Sequence, residues 1–383
     1  MLLKTKGIPS AINAPIIGRV TFDPESNAEI FIITDHIPRY LERFKAIIST
    51  GTQHSLFDKP LVYAVTTTAH LSEGDIVVVN TDGVINTLYR KNSNHNFLLF
   101  TERCNSNCLM CSQPPKNRDD TSYLFDLHSQ TIPLISKDCL ELGITGGEPT
   151  LLGELFFRLL EQIQVELPET EVHCLTNGRS FAWPNFSKKL GSMAYSRLML
   201  GIPLYSDYYA QHDYIVQAKG AFNQTVQGLY NLAKHNVRLE IRVVLHKQTI
   251  PRLGKLSQFI YKNLPFVEQV VFMGLEHQGY TPHNMEKLWV DPNEYGPALV
   301  DAMMYLSDFG INTSLYNAQL CTTPQTIWPF TRKSISDWKN IFHEECSICS
   351  MKQACGGFFA SSTLKRSSAI KAFPAEFRPP IGC

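Results

Sequence analysis

The sequence predicts an α/β protein in which a β-rich N-terminal region precedes a strand–helix core and a cysteine-rich C-terminal region follows it. Three observations support this prediction. Strand-like segments dominate the first 90 residues, apolar segments alternate with helical periodicity between residues 96 and 275, and half of the ten cysteines lie beyond residue 320. We therefore expect three domains, at residues 1–90, 91–285 and 286–383.

The N-terminal region is expected to be a small β-rich domain. Its clearest element is the segment 75–89, which predicts a hairpin with Asp82 and Gly83 in the turn. One helix is expected near residues 38–48, and the polar run 91–95 would link this domain to the core. No motif in this region indicates a chemistry.

The core of the chain alternates strands and helices. We expect strands at 96–100, 140–145, 172–176, 197–205, 238–246 and 268–275, with helices at 123–131, 154–165, 221–234 and 251–264 among them and a further helical segment at 291–309. Strands that are joined through helices pair in parallel. This pattern by itself fits both an open sheet and an incomplete barrel.

Three closely spaced cysteines follow the first core strand, namely Cys104, Cys108 and Cys111. Their C-x₃-C-x₂-C spacing suits one iron–sulfur cube held by three thiolates, whereas a usual [4Fe–4S] site uses four, so the fourth iron would be open to a substrate or cofactor. Structural zinc is the main alternative, but zinc takes four ligands, and the nearest histidines, His95 and His128, do not form a closely spaced pair. Because α/β barrels carry their chemistry at the carboxyl ends of strands, we favour a catalytic cluster.

A second motif, Gly146-Gly147-Glu148-Pro149-Thr150, begins 35 residues after Cys111. Together with the cysteine run, it resembles the radical S-adenosylmethionine (radical SAM) superfamily. The resemblance implies a partial (β/α)₆ barrel, a [4Fe–4S] cluster held by the three cysteines, and S-adenosylmethionine chelating the open iron through its amino and carboxylate groups. One-electron cleavage of that cofactor then yields a 5′-deoxyadenosyl radical, which abstracts a hydrogen atom.

The resemblance also assigns cofactor contacts along these motifs. Met110, the apolar residue before the third cysteine, would pack near the adenine. The segment formed by Gly146, Gly147, Glu148 and Pro149 would meet the methionyl amino group, because glycine allows the backbone to approach closely and a carboxylate accepts N–H hydrogen bonds.

Two polar residues in or after later strands have both a functional and a structural interpretation. Asn177 would contact the methionyl or ribose part of the cofactor, or else form an ordinary Asn-Gly turn. Arg242 lies mid-strand among apolar residues and needs an anion, which would be the cofactor carboxylate or a structural acid such as Glu240 or Glu276. No catalytic acid or base is assigned.

A second dense cysteine group with C-x₂-C-x₅-C spacing consists of Cys346, Cys349 and Cys355. It is similar to the SPASM and twitch auxiliary-cluster domains of radical enzymes that modify peptides, although Phe359 stands near the place of a further SPASM cysteine. We expect one auxiliary [4Fe–4S] cluster with Cys321 as its fourth ligand. Cys383 is the alternative fourth ligand, and zinc is the alternative metal.

The whole chain resembles the His-Xaa-Ser system radical SAM maturases of the HxsC type, through residues 99–116, 142–151 and 355–362. This resemblance implies oxidative modification of a ribosomally synthesised peptide (a RiPP precursor) with His-Xaa-Ser repeats. The partners would be a second radical SAM maturase and an electron donor of the flavodoxin or ferredoxin type. Two other functions stay open: radical chemistry on a small molecule or RNA, and a non-catalytic zinc-binding interaction protein.

Composition excludes several function classes. Lys+Arg and Asp+Glu both number 35, and this zero balance argues against a broad nucleic-acid-binding surface. No stretch approaches the roughly 18 apolar residues of a membrane span, and the N-terminus lacks a signal-peptide core, so we expect a cytoplasmic protein. In that compartment, ten cysteines favour metal or redox work over disulfides.

Overall fold

The computed structural model describes residues 3–33, 41–52 and 59–378. Eight N-terminal strands form the first sheet: β1 (Lys4–Lys6), β2 (Ile8–Ser10), β3 (Ile16–Thr21), β4 (Ile30–Ile33), β5 (Ala46–Ser49), β6 (Leu61–Tyr63), β7 (Ile76–Val79) and β8 (Val84–Tyr89). Their order is β1-β8-β7-β3-β4-β5-β6-β2. The pairs from β3 to β6 are parallel and the others are antiparallel.

This first sheet closes on itself, because its two outermost strands are one segment of chain bent at Gly7. β1 pairs with β8 and β2 pairs with β6. A Cβ at Gly7 would lie 2.4 Å from the carbonyl oxygen of Tyr63, so this junction accepts only glycine without rearrangement. Closure removes the exposed strand edges that an open sheet would present. The enclosed side chains are aliphatic, among them Val20, Ile48 and Val77.

Two N-terminal expectations have different outcomes. The hairpin at 75–89 is confirmed, since β7 and β8 pair antiparallel and Gly83 has φ +80° in the turn. The helix expected near 38–48 is wrong for residues 46–48, which belong to the fully buried strand β5, and residues 38–40 lie outside the described part of the chain.

Eight later strands make up the second sheet: β9 (Phe97–Leu99), β10 (Glu141–Thr145), β11 (Glu171–Leu175), β12 (Leu198–Pro203), β13 (Arg238–Val244), β14 (Gln269–Met273), β15 (Asn312–Tyr316) and β16 (Thr331–Arg332). They follow one another in sequential order, and the pairs from β12 to β16 are parallel. A short antiparallel ribbon pairs β17 (Asn340–Ile341) with β18 (Phe358–Phe359).

Eight α-helices accompany these strands in the described residues: α1 (Thr121–Thr131), α2 (Glu154–Glu166), α3 (Pro184–Ser192), α4 (Tyr209–Val216), α5 (Ala221–Ala233), α6 (Leu253–Asn263), α7 (Met285–Leu288) and α8 (Gly296–Asp308). Short 3₁₀ turns occupy Ile132–Leu134, Pro149–Leu152, Arg179–Ala182, Ile250–Arg252, Pro282–Asn284, Leu320–Thr322, Gln325–Phe330, Glu344–Ile348 and Ala360–Leu364. None of the helices in the described part of the chain combines the length and apolar character needed to cross a membrane.

The expected strands and helices of the core are present at nearly the expected positions. Helix α6 shows why: Leu253, Leu256, Ser257 and Ile260 are buried at the i, i+3, i+4, i+7 spacing of one helical face. The helix ends at Asn263 because the residue before Pro265 is disfavoured in helical conformation. The six-strand expectation was incomplete, since β15 and β16 extend the sheet.

The chain folds as two compact units. The first comprises residues 1–100, 120–144 and 152–172, and it contains the closed sheet with helices α1 and α2. The second comprises residues 101–119, 145–151 and 173–383, and it contains the parallel strands β12–β16 with helices α3–α8. Both cysteine groups and the Gly-Gly-Glu-Pro segment belong to the second unit. The domain boundaries expected at residues 90 and 285 stay predictions.

Candidate functional site

The first cysteine group lies on a loop that backbone hydrogen bonds hold on both sides. The N–H groups of Asn107 and Leu109 donate to the carbonyls of Val216 and Ile215 at 3.0 and 2.9 Å, at the end of α4. The Tyr280 N–H donates to the Cys111 carbonyl at 2.8 Å. Because these contacts come from distant parts of the chain, the cysteines are positioned by the folded unit as well as by their spacing.

The three thiols of this loop are close enough to influence one another. Burial raises the pKa of Cys104 to about 11, and the charges of Glu148 and Cys111 add to the effect. Burial and the charges of Cys111 and Cys104 raise the pKa of Cys108 further. Such thiols would be neutral without a cation beside them, and bound metal ions are what convert coordinating thiols to thiolates. The donor set therefore fits an iron–sulfur cluster.

Two polar contacts surround the Cys104 sulfur. The Ser106 N–H donates to Sγ at 3.4 Å, and Asn177 Nδ2 lies 4.0 Å from it. Hydrogen bonds to ligand sulfurs are one of the ways in which proteins set the potential of iron–sulfur clusters. Asn177, expected at the cofactor from the sequence, thus lies directly beside the first expected ligand.

The two glycines of the Gly-Gly-Glu-Pro segment lie against the backbone of the cysteine loop. A Cβ at Gly147 would stand 2.1 Å from the carbonyl oxygen of Arg103, and one at Gly146 would stand 2.4 Å from that of Thr101. Gly147 N–H donates to the Thr101 carbonyl at 2.8 Å, and Glu148 N–H donates to the Arg103 carbonyl at 2.7 Å. The glycines therefore allow two loops to pair closely, a role that the sequence pattern did not indicate.

Glu148 is completely buried, and its carboxylate joins its own turn to the segment that contains Thr176 and Asn177. One oxygen accepts from Thr150 N–H at 3.0 Å, from Thr150 Oγ1 at 2.5 Å and from Thr176 Oγ1 at 2.7 Å. The other accepts from Asn177 N–H at 2.6 Å. Burial raises the pKa of this carboxyl, while the hydrogen bonds from Thr150 and Asn177 oppose that rise. Glu148 thus positions the turn that carries Asn177, and its direct contact with a methionyl amino group stays a prediction.

Arg179 is a residue of this site that the sequence analysis missed. Its Nη1 donates to the carbonyl of Asn105 and to Ser106 Oγ at 3.0 Å, and its Nε donates to Gln224 Oε1 at 2.7 Å on α5. Arg179 therefore fixes the position of the residues between Cys104 and Cys108 through hydrogen bonds. The only local signal was a basic residue two positions after Asn177, which is too common a feature to indicate a function.

Met110 and Pro149, both expected to contact the cofactor, have defined local environments in the fold. Met110 is buried in an apolar cluster with Tyr205 and Leu288, against which Cys108 packs. Pro149 opens the 3₁₀ turn Pro149–Leu152 directly after Glu148. The adenine and methionyl contacts expected for these residues stay predictions.

Arg242 lies beside Glu240, one of the two structural acids expected as its partner. Its Nη1 donates to Glu240 Oε1 at 2.6 Å, and His173 Nε2 lies 3.3 Å from the same oxygen. Burial by itself would raise the pKa of Glu240, but His173 and Arg242 outweigh it and lower that pKa. Of the two interpretations of Arg242, the structure shows the ion pair with Glu240.

The second cysteine group comes together from two parts of the chain. The charges of Cys355 and Cys346 act on Cys321, and those of Cys355 and Cys349 act on Cys346, with burial the largest cause of the raised pKa in both. Cys321, Cys349 and Cys355 pack against one apolar cluster that includes Trp328 and Phe373. Phe373 N–H donates to Cys349 Sγ at 3.4 Å. Four thiols in one place, with an N–H directed at a sulfur, fit an iron–sulfur cluster.

Other candidate ligands do not enter this group. Cys383 lies outside the described residues, and Phe359 is buried in β18, paired with Asn340. Among the described residues, no three or more His, Cys, Asp or Glu side chains converge as they would around a single metal ion. In a cube each thiolate binds a different iron, so its ligands are spread more widely than those of one ion.

The family comparison covers the part of the chain that contains the first cysteine loop. Residues 98–260 match the model of the Radical SAM superfamily. The central part of this chain is therefore similar to the Radical SAM superfamily. It contains the first cysteine group, the Gly-Gly-Glu-Pro segment and Asn177, whereas the second cysteine group lies beyond it.

Comparison with solved structures gives low similarity to several proteins. Streptococcus suis SuiB is 15% identical over 57% of this chain and 48% of its own, with a TM-score of 0.44, so the match spans about half of its length. Native anSMEcpe with bound AdoMet is 16% identical over 72% of this chain and 92% of its own, with a TM-score of 0.49. Escherichia coli coproporphyrinogen III oxidase (HemN), a radical SAM enzyme, is 12% identical over 56% of this chain and 53% of its own, with a TM-score of 0.42. No curated protein matches significantly. These values leave the substrate of this chain open.

Proposed function

We propose that the chain is a radical SAM enzyme that modifies a ribosomally made peptide. The observation that carries this proposal is the pairing of the cysteine loop with the Gly-Gly-Glu-Pro segment through the Gly147 and Glu148 N–H groups. Cys104, Cys108 and Cys111 would hold a [4Fe–4S] cluster, and S-adenosylmethionine would bind at its open iron. When bound, these groups supply one-electron reductive cleavage of a sulfonium and abstraction of a hydrogen atom from the substrate.

The residues of this chain bind and orient those groups. Arg179 and Asn177 hold the loop around Cys104, and Glu148 holds the turn that carries Asn177. Apolar packing around Met110 and Cys108 keeps water from one side of the cluster site. Exclusion of water protects reactive species from side reactions.

The peptide substrate is proposed from the second cysteine group. Cys321, Cys346, Cys349 and Cys355 would hold an auxiliary [4Fe–4S] cluster, which would contact the substrate or take up the electron left when a substrate radical becomes an oxidised product. The resemblance to HxsC-type maturases makes a His-Xaa-Ser repeat peptide the first candidate, with a second maturase and a flavodoxin- or ferredoxin-type donor as partners.

The test begins with protein purified without oxygen and reconstituted with iron and sulfide. Iron per chain is counted, and 5′-deoxyadenosine is assayed after addition of dithionite and S-adenosylmethionine. About eight irons with product support two four-iron clusters, and about four with product retain the enzyme but remove the auxiliary cluster. Bound zinc without product would support the interaction protein and overturn the proposal.

Replacement of the second cysteine group separates the two sites. The double variant Cys346→Ala with Cys349→Ala should lose about half of the iron while it still forms 5′-deoxyadenosine. Cys174→Ala is the matched control, because Cys174 is a fully buried cysteine outside both groups. Unchanged iron in the double variant would exclude the auxiliary cluster.

A further inference from the structure

A small cavity in the second unit lies at the carboxyl ends of three parallel strands. Its volume is about 70 Å³, and its walls include Leu245 after β13, Leu275 and His277 after β14, and Asn317 after β15. One water needs roughly 10–15 Å³ measured in this way, so the cavity has room for a short side chain. In α/β barrels the substrate binds at this end of the strands.

The cavity wall is connected to both cysteine groups through neighbouring residues. On one side, Leu275 packs against the apolar cluster that contains Met110 and touches Cys108. On the other side, the wall residue Gln319 donates to the Gly357 carbonyl at 2.8 Å, two residues after Cys355. A group bound in the cavity would therefore contact residues that pack or hydrogen-bond next to each cysteine group.

The charge of the cavity wall has one sign. Lys365, Arg366 and His277 line the cavity, and none of its lining residues is Asp or Glu. Arg366 is paired with Glu345 at 3.1 Å. Lys365 has no carboxylate partner among the described residues, and its Nζ lies 4.0 Å above the Trp289 ring. Lys365 is exposed, and it is the cation of this wall that lacks a carboxylate partner among the described residues.

Two further polar groups of the wall have no partner within the described structure, namely His277 Nδ1 and Ser362 Oγ. Burial and the nearby charge of Lys365 lower the pKa of His277, so the ring is neutral at neutral pH and can donate one hydrogen bond. Buried polar groups without partners are uncommon in native proteins and call for a ligand or water. A carboxylate has the acceptors that an ammonium, a hydroxyl and an imidazole N–H can all satisfy.

We propose that this cavity binds a carboxylate of the peptide substrate, with Lys365 as its cationic anchor and His277 and Ser362 as hydrogen-bonding partners. The inference rests on the proposed function and adds to it that the peptide presents an acidic side chain or its own C-terminal carboxylate beside the reacting residue. Trp289 holds the Lys365 ammonium at the cavity through its ring.

The test measures equilibrium binding by saturation-transfer NMR on the reconstituted protein without reductant, so it does not depend on turnover. Three capped peptides serve as probes: acetyl-Gly-Glu-Gly-amide, acetyl-Gly-Gln-Gly-amide and acetyl-Gly-Gly-Gly with a free carboxylate. Each is titrated into the wild type, Lys365→Met and Lys352→Met. Lys352 is the matched control because its Nζ also lies over a ring, Phe342 at 5.3 Å, but it does not line the cavity.

We expect a carboxylate peptide to bind and its amide analogue to bind about tenfold more weakly, with a similar loss in Lys365→Met but not in Lys352→Met. Preference for the Glu peptide would indicate a side-chain carboxylate, and preference for the free C-terminus would indicate the terminal one. Equal binding of all three peptides, equal effects of the two variants, or no binding of any peptide would overturn the inference. A weakened affinity for S-adenosylmethionine in Lys365→Met, with peptide binding unchanged, would instead assign the cavity to the cofactor. Iron content and 5′-deoxyadenosine formation test the proposed function separately.

Discussion

Gly147→Ala tests the role of the pairing between the cysteine loop and the Gly-Gly-Glu-Pro segment. The new Cβ would stand 2.1 Å from the carbonyl oxygen of Arg103, and reaching the 3.4 Å of an ordinary contact requires a shift of about 1.3 Å. The obstructing atoms are backbone, so no side-chain rotation relieves the contact. Overpacking of this kind, with weakening of the two loop hydrogen bonds, should cost about 2–3 kcal/mol of folding free energy.

Arg103 precedes Cys104, so the same shift displaces the first expected ligand. We expect iron bound at the first site to fall by about half or more, because metal ligands must lie within about 0.2 Å of their required distances. The assay combines iron content, the visible spectrum of the reconstituted protein and denaturant unfolding monitored by circular dichroism. Reduced iron in a protein that keeps its native circular dichroism is the expected result.

Gly254→Ala is the matched control for this variant. No heavy atom lies within 4 Å of a Cβ at Gly254, which is in α6. Replacing glycine by alanine in a helix should leave iron unchanged and stabilise the fold by about 0.5–1 kcal/mol. If Gly147→Ala retained wild-type iron and wild-type stability, the argument that these loops are held in close backbone contact would be refuted.

Three further predictions follow from the second unit. Arg242→Met should destabilise the protein by about 3–5 kcal/mol in denaturant unfolding, because Glu240 is only 2% exposed and would lose its cation. A double variant that also carries Glu240→Gln should recover part of that loss of stability. Strictly additive effects of the two substitutions would contradict the ion pair. Burial lowers the pKa of His212 to about 4 and that of His246 to about 3, so below pH 6.5 the unfolded chain takes up protons that the folded chain does not. The free energy of unfolding should therefore fall by up to about 1.4 kcal/mol per histidine for each pH unit from 6.5 towards 4. The slope of this pH dependence should be smaller in His246→Asn. Arg179→Met should lose the hydrogen bonds to Asn105 and Ser106 and shift the midpoint potential of the first cluster in a spectroscopic redox titration. Gln224→Met removes only the hydrogen bond between Arg179 and α5, so it should shift that potential less. Equal potentials in the wild type and both variants would show that Arg179 does not influence the site.

Local sequence patterns were sufficient for most elements of the core. The apolar spacing of α6 and the proline that follows it predict that helix and its end without reference to any other part of the chain. Strand β15 was missed because Asn-Thr-Ser-Leu-Tyr is too polar to be recognised as a strand, although its Thr313 and Ser314 are buried in the fold. The segment that contains β5 was assigned to a helix because periodicity in a short apolar run cannot distinguish the two structures.

The sequence by itself was sufficient to recognise the first cysteine group and the Gly-Gly-Glu-Pro segment as motifs, because the residues that carry them are neighbours in the chain and their spacing is the signal. Tertiary structure decided the features that depend on distant residues meeting. Cys321 joins Cys346 across 25 positions, Glu148 meets Thr176 and Asn177 across 28 and 29, and Arg179 reaches Ser106 across 73. Closure of the first sheet at Gly7 likewise depends on pairing between its first and last strands. Such contacts leave no periodicity in the sequence, since they are set by how strands and loops pack once the chain is folded.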